Sequence, residues 1–262
     1  MQAVDIAPAI ALLPDERQRL IGEALDRDGK VLATDLARFL NTSEDTIRRD
    51  LREMAKAGLC RRVYGGALPV SPASGTIAER SGRNVQEKER LAKAAAGLVR
   101  ANQTIFIDAG STNAAIARAL PEGMSLTVAT NAPMIAASLA GREGIGVIMI
   151  GGRVDPHSGA CLGSAAMREA ERIRPDLCFL GTCAVDTIEG VTTFDFDEAE
   201  FKRLLAARSR RVVAVATREK LHTGAPHKVM EAADLGILVA DGPADDLDAY
   251  RTLGITVVTP NA

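Results

Sequence analysis

The sequence predicts an α/β protein in which a small N-terminal winged helix-turn-helix joins a larger, open, mostly parallel α/β sheet domain. Three observations carry this. Three amphipathic helical patterns and a short hairpin fill the first 68 residues. A stretch rich in Pro, Ser and Gly follows, and then seven apolar runs of strand length alternate with helix-sized segments, as buried parallel strands do. The 262 residues are 47% hydrophobic and 25% charged, so the chain is globular and long enough for a sizeable core.

The first helix is expected from about Asp15 to Asp28, where Leu20, Ile21, Ala24 and Leu25 form one apolar stripe. The second runs from about Thr34 to Leu40, with Leu36, Ala37 and Leu40 inward. The third spans about Ser43 to Ala57, with Ile47, Leu51 and Met54 on one face and Thr42 and Asp45 spaced as a capping box. Gly58 ends it by accepting a left-handed conformation. Leu59 to Tyr64 then reads as a strand, with Gly65-Gly66 as a tight turn.

Residues 12–68 therefore form the first domain, 69–78 a linker and 79–262 the second domain. A helix over Gln86–Ala101 leads into the apolar runs Thr104–Ile107, Ser125–Ala129, Ile145–Ile150, Leu177–Leu180, Arg211–Ala216, Leu235–Ala240 and Ile255–Val258. The eight aromatics (six Phe, two Tyr, no Trp) suit strands built from Val, Ile, Leu and Ala.

Several classes are disfavoured. The apolar stretch Ala7–Leu13 lacks a preceding basic residue and makes a poor signal peptide. No window approaches the roughly 18 apolar residues of a membrane span. Cys60, Cys161, Cys178 and Cys183 have no CxxC spacing and read as free thiols of a cytoplasmic protein. His157, His222 and His227 are too sparse for a metal site. Without GxxxxGK[ST] or GxGxxG, no nucleotide cofactor is expected.

A net charge of −2 excludes a uniformly basic protein, yet the charge is unevenly spread. Residues 1–45 carry five basic and nine acidic side chains, a balance of −4, whereas residues 46–66 carry six basic and two acidic, a balance of +4. The positive charge sits on the third helix and the hairpin, the parts of a winged motif that meet DNA. An ordinary three-helix cap would not need that placement. Ser43, Thr46, Arg48 and Arg49 face outward at the start of the third helix, where an arginine can hold guanine O6 and N7. Arg61 and Arg62 on the hairpin suit backbone phosphates. Arg52 and Lys56 read as solvated surface charges.

In the second domain, polar or glycine-bearing turns follow the strands: Asp108-Ala109-Gly110-Ser111-Thr112, Thr130-Asn131, Gly151-Gly152, Gly181 and Thr217-Arg218-Glu219-Lys220. The carboxyl ends of parallel strands share one edge, where such folds bind ligands. Gly110 permits a close turn, and Ser111 and Thr112 stand at a helix start that favours anions. Asp108 can accept from sugar hydroxyls. A Ser or Thr there is equally an ordinary cap. Glu198 and Lys202 read as an ordinary i, i+4 helix pair, and Asp186, ahead of Gly190, as a loop residue bordering the crevice or a plain turn.

The run Thr42-Ser43-x-x-Thr46-Ile47-Arg48-Arg49-Asp50-Leu51-x-x-Met54, with Ala57-Gly58-Leu59 and Arg62-x-Tyr64-Gly65-Gly66-Ala67, resembles the signature of DeoR-type bacterial transcription regulators. Glu79-Arg80, Asn84 and Glu87-Lys88 extend the resemblance along nearly the whole chain. It implies a sensor domain similar to ribose-phosphate isomerase and glucosamine-phosphate deaminase folds. It further implies phosphate contacts from Ser111, Thr112 and Lys220, sugar contacts from Asp108 and Asn131, and matching motifs at Gly110 and Gly151-Gly152. Two positions depart from that pattern: Tyr64 stands where the family usually has His, and Thr217-Arg218-Glu219-Lys220 replaces an Asp-Ser-Ser/Thr-Lys run.

The expected function is a DNA-binding repressor of carbohydrate genes, with operator duplex and a phosphorylated sugar as partners. Paired half-sites imply a homo-oligomer, dimer or tetramer. The alternative is a sugar-phosphate isomerase or deaminase, which would need Asp108 or Asp186 to move a proton.

Overall fold

Ile21 and Leu25, one turn apart on α1 (Pro14–Asp28), lie fully inside the N-terminal unit. The computed structural model describes residues 12–28, 31–57, 59–63, 65–69 and 75–260, without the side chains of 26–28, 61, 68 and 69. The chain divides into two compact units, Met1–Ser71 and Pro72–Ala262.

In the first unit, β1 (Val31–Leu32) is followed by α2 (Ala33–Phe39), α3 (Glu44–Lys56), β2 (Cys60–Val63) and β3 (Gly66–Pro69). Leu36, Ile47, Leu51 and Met54 join Ile21 and Leu25 in one core. β2 and β3 form the expected antiparallel hairpin, and β1 adds a third strand beside β3. A strand of two residues has no periodicity to reveal it in sequence. The expected Thr42/Asp45 capping box is not formed. The turn after α2 holds Thr42 N–H on Ala37 O at 2.9 Å, so Ser43 becomes the N-cap and its hydroxyl accepts from Thr46 N–H at 3.1 Å. At the other end Leu59 N–H donates to Met54 O at 2.8 Å, a six-to-one closure of the helix. Gly58, Tyr64 and the linker residues 70–74 lie outside the described residues.

Asp50, on the inner face of α3, is 2% exposed. Arg17 of α1 forks onto it, Nε to Oδ2 at 2.7 Å and Nη2 to Oδ1 at 3.1 Å. The paired hydrogen bonds raise the arginine above its ordinary value although burial opposes the charge. α3 is thus held by packing and by a bidentate ion pair.

The second unit runs α4 (Ile77–Ser81), α5 (Val85–Ala96), β4 (Thr104–Ile107), α6 (Ser111–Ala119), β5 (Leu126–Thr130), α7 (Pro133–Leu139) and β6 (Ile145–Met149). Next come β7 (Arg153–Val154), β8 (Cys161–Leu162), α8 (Ser164–Ala170), β9 (Leu177–Leu180), β10 (Ala184–Asp186), β11 (Gly190–Thr193), α9 (Phe196–Arg208) and β12 (Val212–Ala216). β13 (His227–Met230), β14 (Ile237–Ala240), α10 (Ala244–Thr252) and β15 (Thr256–Val258) complete it. The seven apolar runs become one seven-stranded sheet, order β15-β14-β12-β9-β4-β5-β6, parallel throughout. β9, β12 and β14 are buried along their whole length, which is why they read as unbroken apolar runs.

The chain winds outward from β4 through β5 to β6, then returns to place β9 on the other side of β4. That reversal creates a crevice at the carboxyl ends of β4 and β9. Three features differ from expectation. The helix expected over 86–101 stops at Ala96, with Gly97 as its C-cap. α4 precedes it, started by a capping box between Thr76 and Glu79. β10, β11 and β13 form a separate antiparallel sheet, in which Asp186 and Gly190 close a hairpin.

Candidate nucleic-acid face and anion cleft

Burying Ile47, Asp50, Leu51 and Met54 turns Arg48, Arg49 and Arg52 of α3 toward solvent. Arg48 is held by acids of its own helix, Glu44 at 2.7 Å and Asp45 at 3.7 Å. Exposed pairs of this kind contribute about 0–1 kcal/mol, so an incoming phosphate or guanine can displace them. Arg49 makes no ion pair among the described residues. The Ser43 and Thr46 hydroxyls lie 2.8 Å apart and share the cap, so both fix the first turn of α3. Arg62 is exposed on β2, and the Arg61 side chain lies outside the described residues.

At the β4/β9 reversal, Asp108 is completely buried. Its Oδ2 accepts from Lys202 Nζ at 2.7 Å and from Gly181 N–H at 2.9 Å, and its Oδ1 accepts from Ala109 N–H at 2.8 Å. A Cβ on Gly181 would stand 2.3 Å from Ala109 O and 2.7 Å from Asp108 Oδ2, so only glycine fits this approach. Lys202 and Glu198, read from sequence as an ordinary helix pair, are mostly inside. They lie 3.7 Å apart, and Lys202 is 4% exposed. Burial works against the Lys202 charge, but Asp108 and Glu198 hold it above its ordinary value.

Above this pair opens a cleft of about 510 Å³, counting the space at its mouth. Among its walls are five basic side chains (Arg80, Arg83, Lys88, Lys202, Lys220) against two acidic ones (Glu198, Glu219). Lys88 Nζ donates to the carbonyls of Arg80 at 2.5 Å and Arg83 at 2.8 Å, tying α5 to α4. Burial, aided by the nearby Lys220 charge, pushes Lys88 down to about 8. Lys220 donates to Thr182 O at 2.7 Å and is likewise pushed down by burial. Gly110, with φ of +156°, precedes α6 as its N-cap, and no side chain caps that helix. The open amides of α6 therefore begin at the cleft wall, beside Gly110 and Ser111.

Of the eight residues expected at the effector site, Gly110, Ser111 and Lys220 line the cleft. Asp108 stands behind it, saturated by Lys202 and backbone donors. Asn131 accepts from Ala109 N–H at 3.1 Å, and its Nδ2 is buried without a partner among the described residues, as is Thr112 Oγ1. Gly151 and Gly152 are not in the lining; Gly151 N–H binds Glu169 at 2.9 Å where the chain enters β7. Lys88 has no site role in the sequence reading, and Lys202, at a position that matches the family, is taken there as an ordinary helix partner of Glu198. Each occupies a helical position one turn from buried residues, Leu91 and Leu205, and a lysine on an apolar stripe was the available signal.

The carboxylates that isomerase or deaminase chemistry would need are both engaged. Asp108 is ion-paired, and Asp186 accepts from the amides of Ile188 and Glu189 at 2.8 and 2.9 Å. Among the described residues no group of His, Cys, Asp and Glu is placed to hold a metal, and no helix is long and apolar enough to cross a membrane. All four cysteines are free thiols.

Family models and relatives match this chain along most of its length. A family model for the DeoR-like helix-turn-helix domain matches residues 17–73, and one for the DeoR C terminal sensor domain matches residues 83–242. The transcriptional regulator GolR of Listeria innocua is 36% identical over 232 residues, covering 88% of this chain and 91% of that protein. GlpR of Haloferax volcanii is 34% identical, covering 94% and 98%. The glycerol-3-phosphate regulon repressor of Escherichia coli is 31% identical, covering 87% and 91%. Ribose 5-phosphate isomerase A from Neisseria gonorrhoeae overlaps 57% of this chain and 56% of its own at 18% identity, with a TM-score of 0.39.

Proposed function

Because the chain belongs to the DeoR family of transcriptional regulators, we propose that it represses carbohydrate genes by reading operator DNA and releasing it when a phosphorylated sugar binds. The first unit presents Thr46, Arg48 and Arg49 to the major groove, with Ser43 fixing the turn that carries them. Arg61 and Arg62 hold backbone phosphates from the wing. In the second unit the effector phosphate meets Gly110, Ser111 and the open amides of α6, together with Lys220 and Lys88. Asp108 acts through Lys202 and Gly181, and Asn131 through Ala109; Thr112 supports the same turn. A homo-oligomer, dimer or tetramer, brings two wings to paired half-sites.

The observation that carries this reading is the cation-lined cleft at the β4/β9 reversal, in a chain whose α3 also exposes a basic face. A thermal-shift screen against phosphorylated sugars tests it. A binding sugar phosphate should raise the melting temperature and release bound duplex. Ser111→Ala should reduce the shift; a full shift in that variant would remove the α6 turn from the site.

A further inference from the structure

Glu219 puts a carboxylate into a cleft otherwise built for anions. It lies on the 3-10 turn Arg218–Lys220, next to Lys220, yet the two side chains differ in depth. Lys220 is 9% exposed and reaches inward to Thr182 O, whereas Glu219 is exposed and still lines the cleft. Its one hydrogen bond among the described residues is from Thr217 Oγ1, at a long 3.4 Å. It is close enough to Lys88 and Lys220 to favour the charge on both. Glu198, the other carboxylate, is occupied by Thr193 Oγ1 at 3.0 Å and by Lys202. The interior of the cleft therefore offers lysines, and its exposed rim offers, beside Arg83, the Glu219 carboxylate as an acceptor with spare capacity.

We propose that Glu219 selects the effector: a phosphomonoester whose single phosphate goes inward to Lys88, Lys220 and the start of α6, and whose other end brings hydroxyl or amino donors to the Glu219 carboxylate. A second phosphate at that end meets a like charge and is rejected. This inference rests on the effector reading above and adds the class of ligand. Repulsion between unit charges a few ångströms apart near a surface changes affinity by about tenfold.

The test is calorimetric titration of the full-length protein with sugar monophosphates, the matching bisphosphates and inorganic phosphate. It is run at pH 6.5, so that Lys88 is protonated in every variant. The wild-type chain should bind a sugar monophosphate about tenfold more tightly than its bisphosphate and than inorganic phosphate. Glu219→Gln should bring the monophosphate and bisphosphate affinities together, and Glu219→Asp should keep them apart. A bisphosphate that binds more tightly to the wild type overturns the proposal, as does a ratio unchanged in Glu219→Gln or full affinity for inorganic phosphate alone. If none of the phosphates binds wild type or variants, the effector reading itself fails. Unliganded melting temperatures equal to wild type show that the variants are folded.

Discussion

Lys202 and Asp108 place opposite charges 2.7 Å apart where water is excluded, and the pair is sustained by their mutual contact together with Glu198 and the amides of Ala109 and Gly181. Removing one leaves a buried charge unpartnered, so Lys202→Met should cost about 3–5 kcal/mol in urea unfolding, while the double variant with Asp108→Leu should recover much of it. Lys88 gives a pH signature. Its folded value of about 8 lies below its ordinary 10.5, because burial penalises the charged form and Lys220 and Arg80 repel it, against help from Glu219 and Glu87. The sign follows directly. Below about pH 8 the folded chain bears the penalty of a buried charge, and that penalty fades as pH rises from 8 toward 10.5. Anion affinity in the cleft should therefore fall as pH passes 8, and Lys88→Met should bind weakly with a smaller fall, what remains belonging to Lys220. Isothermal titration from pH 6.5 to 9 reads both.

Each element of the DNA-reading unit serves to hold α3. Leu51→Ala opens a cavity among Ile21, Leu25 and Ile47 and should cost about 2–5 kcal/mol. Asp50→Ala strands Arg17 and should cost about 2–3 kcal/mol, read by the same denaturation. Arg49→Ala should leave stability unchanged and weaken duplex binding in fluorescence anisotropy. The elements also show what was legible in the sequence. The five inner strands of the core sheet declared themselves because burial on both faces leaves no polar alternation, and the edge strands β6 and β15 did so as apolar runs although they are partly exposed. α3 did so because Ile47, Leu51 and Met54 recur each turn. β1 was too short to have a period, and β10, β11 and β13 mix Asp, Gly, Thr, His and Lys with apolar residues in runs of three or four. The turn at Gly110-Ser111 was visible as a motif. Lys88 and Lys202 were not, since their importance arises only when α5 and α9 bring them to the same sheet edge.

For the whole molecule, a net charge of −2 conceals a +4 segment in residues 46–66 and a second cationic cluster folded into the cleft. Only the first could be seen by summing along the chain. A repressor that senses a metabolite needs the two units to be coupled, and couplings of ~1–3 kcal/mol, or ~5–150-fold in affinity, are typical. The most direct measurement is selection of duplexes from a random-sequence pool by the purified chain. The winning duplex is then bound across a range of salt, with and without a sugar phosphate that raises the melting temperature. The account predicts an enriched sequence with two related half-sites, affinity falling linearly in log–log with salt, and release by that sugar phosphate. A pool that enriches no sequence, with binding equal for all duplexes at every salt, would contradict it.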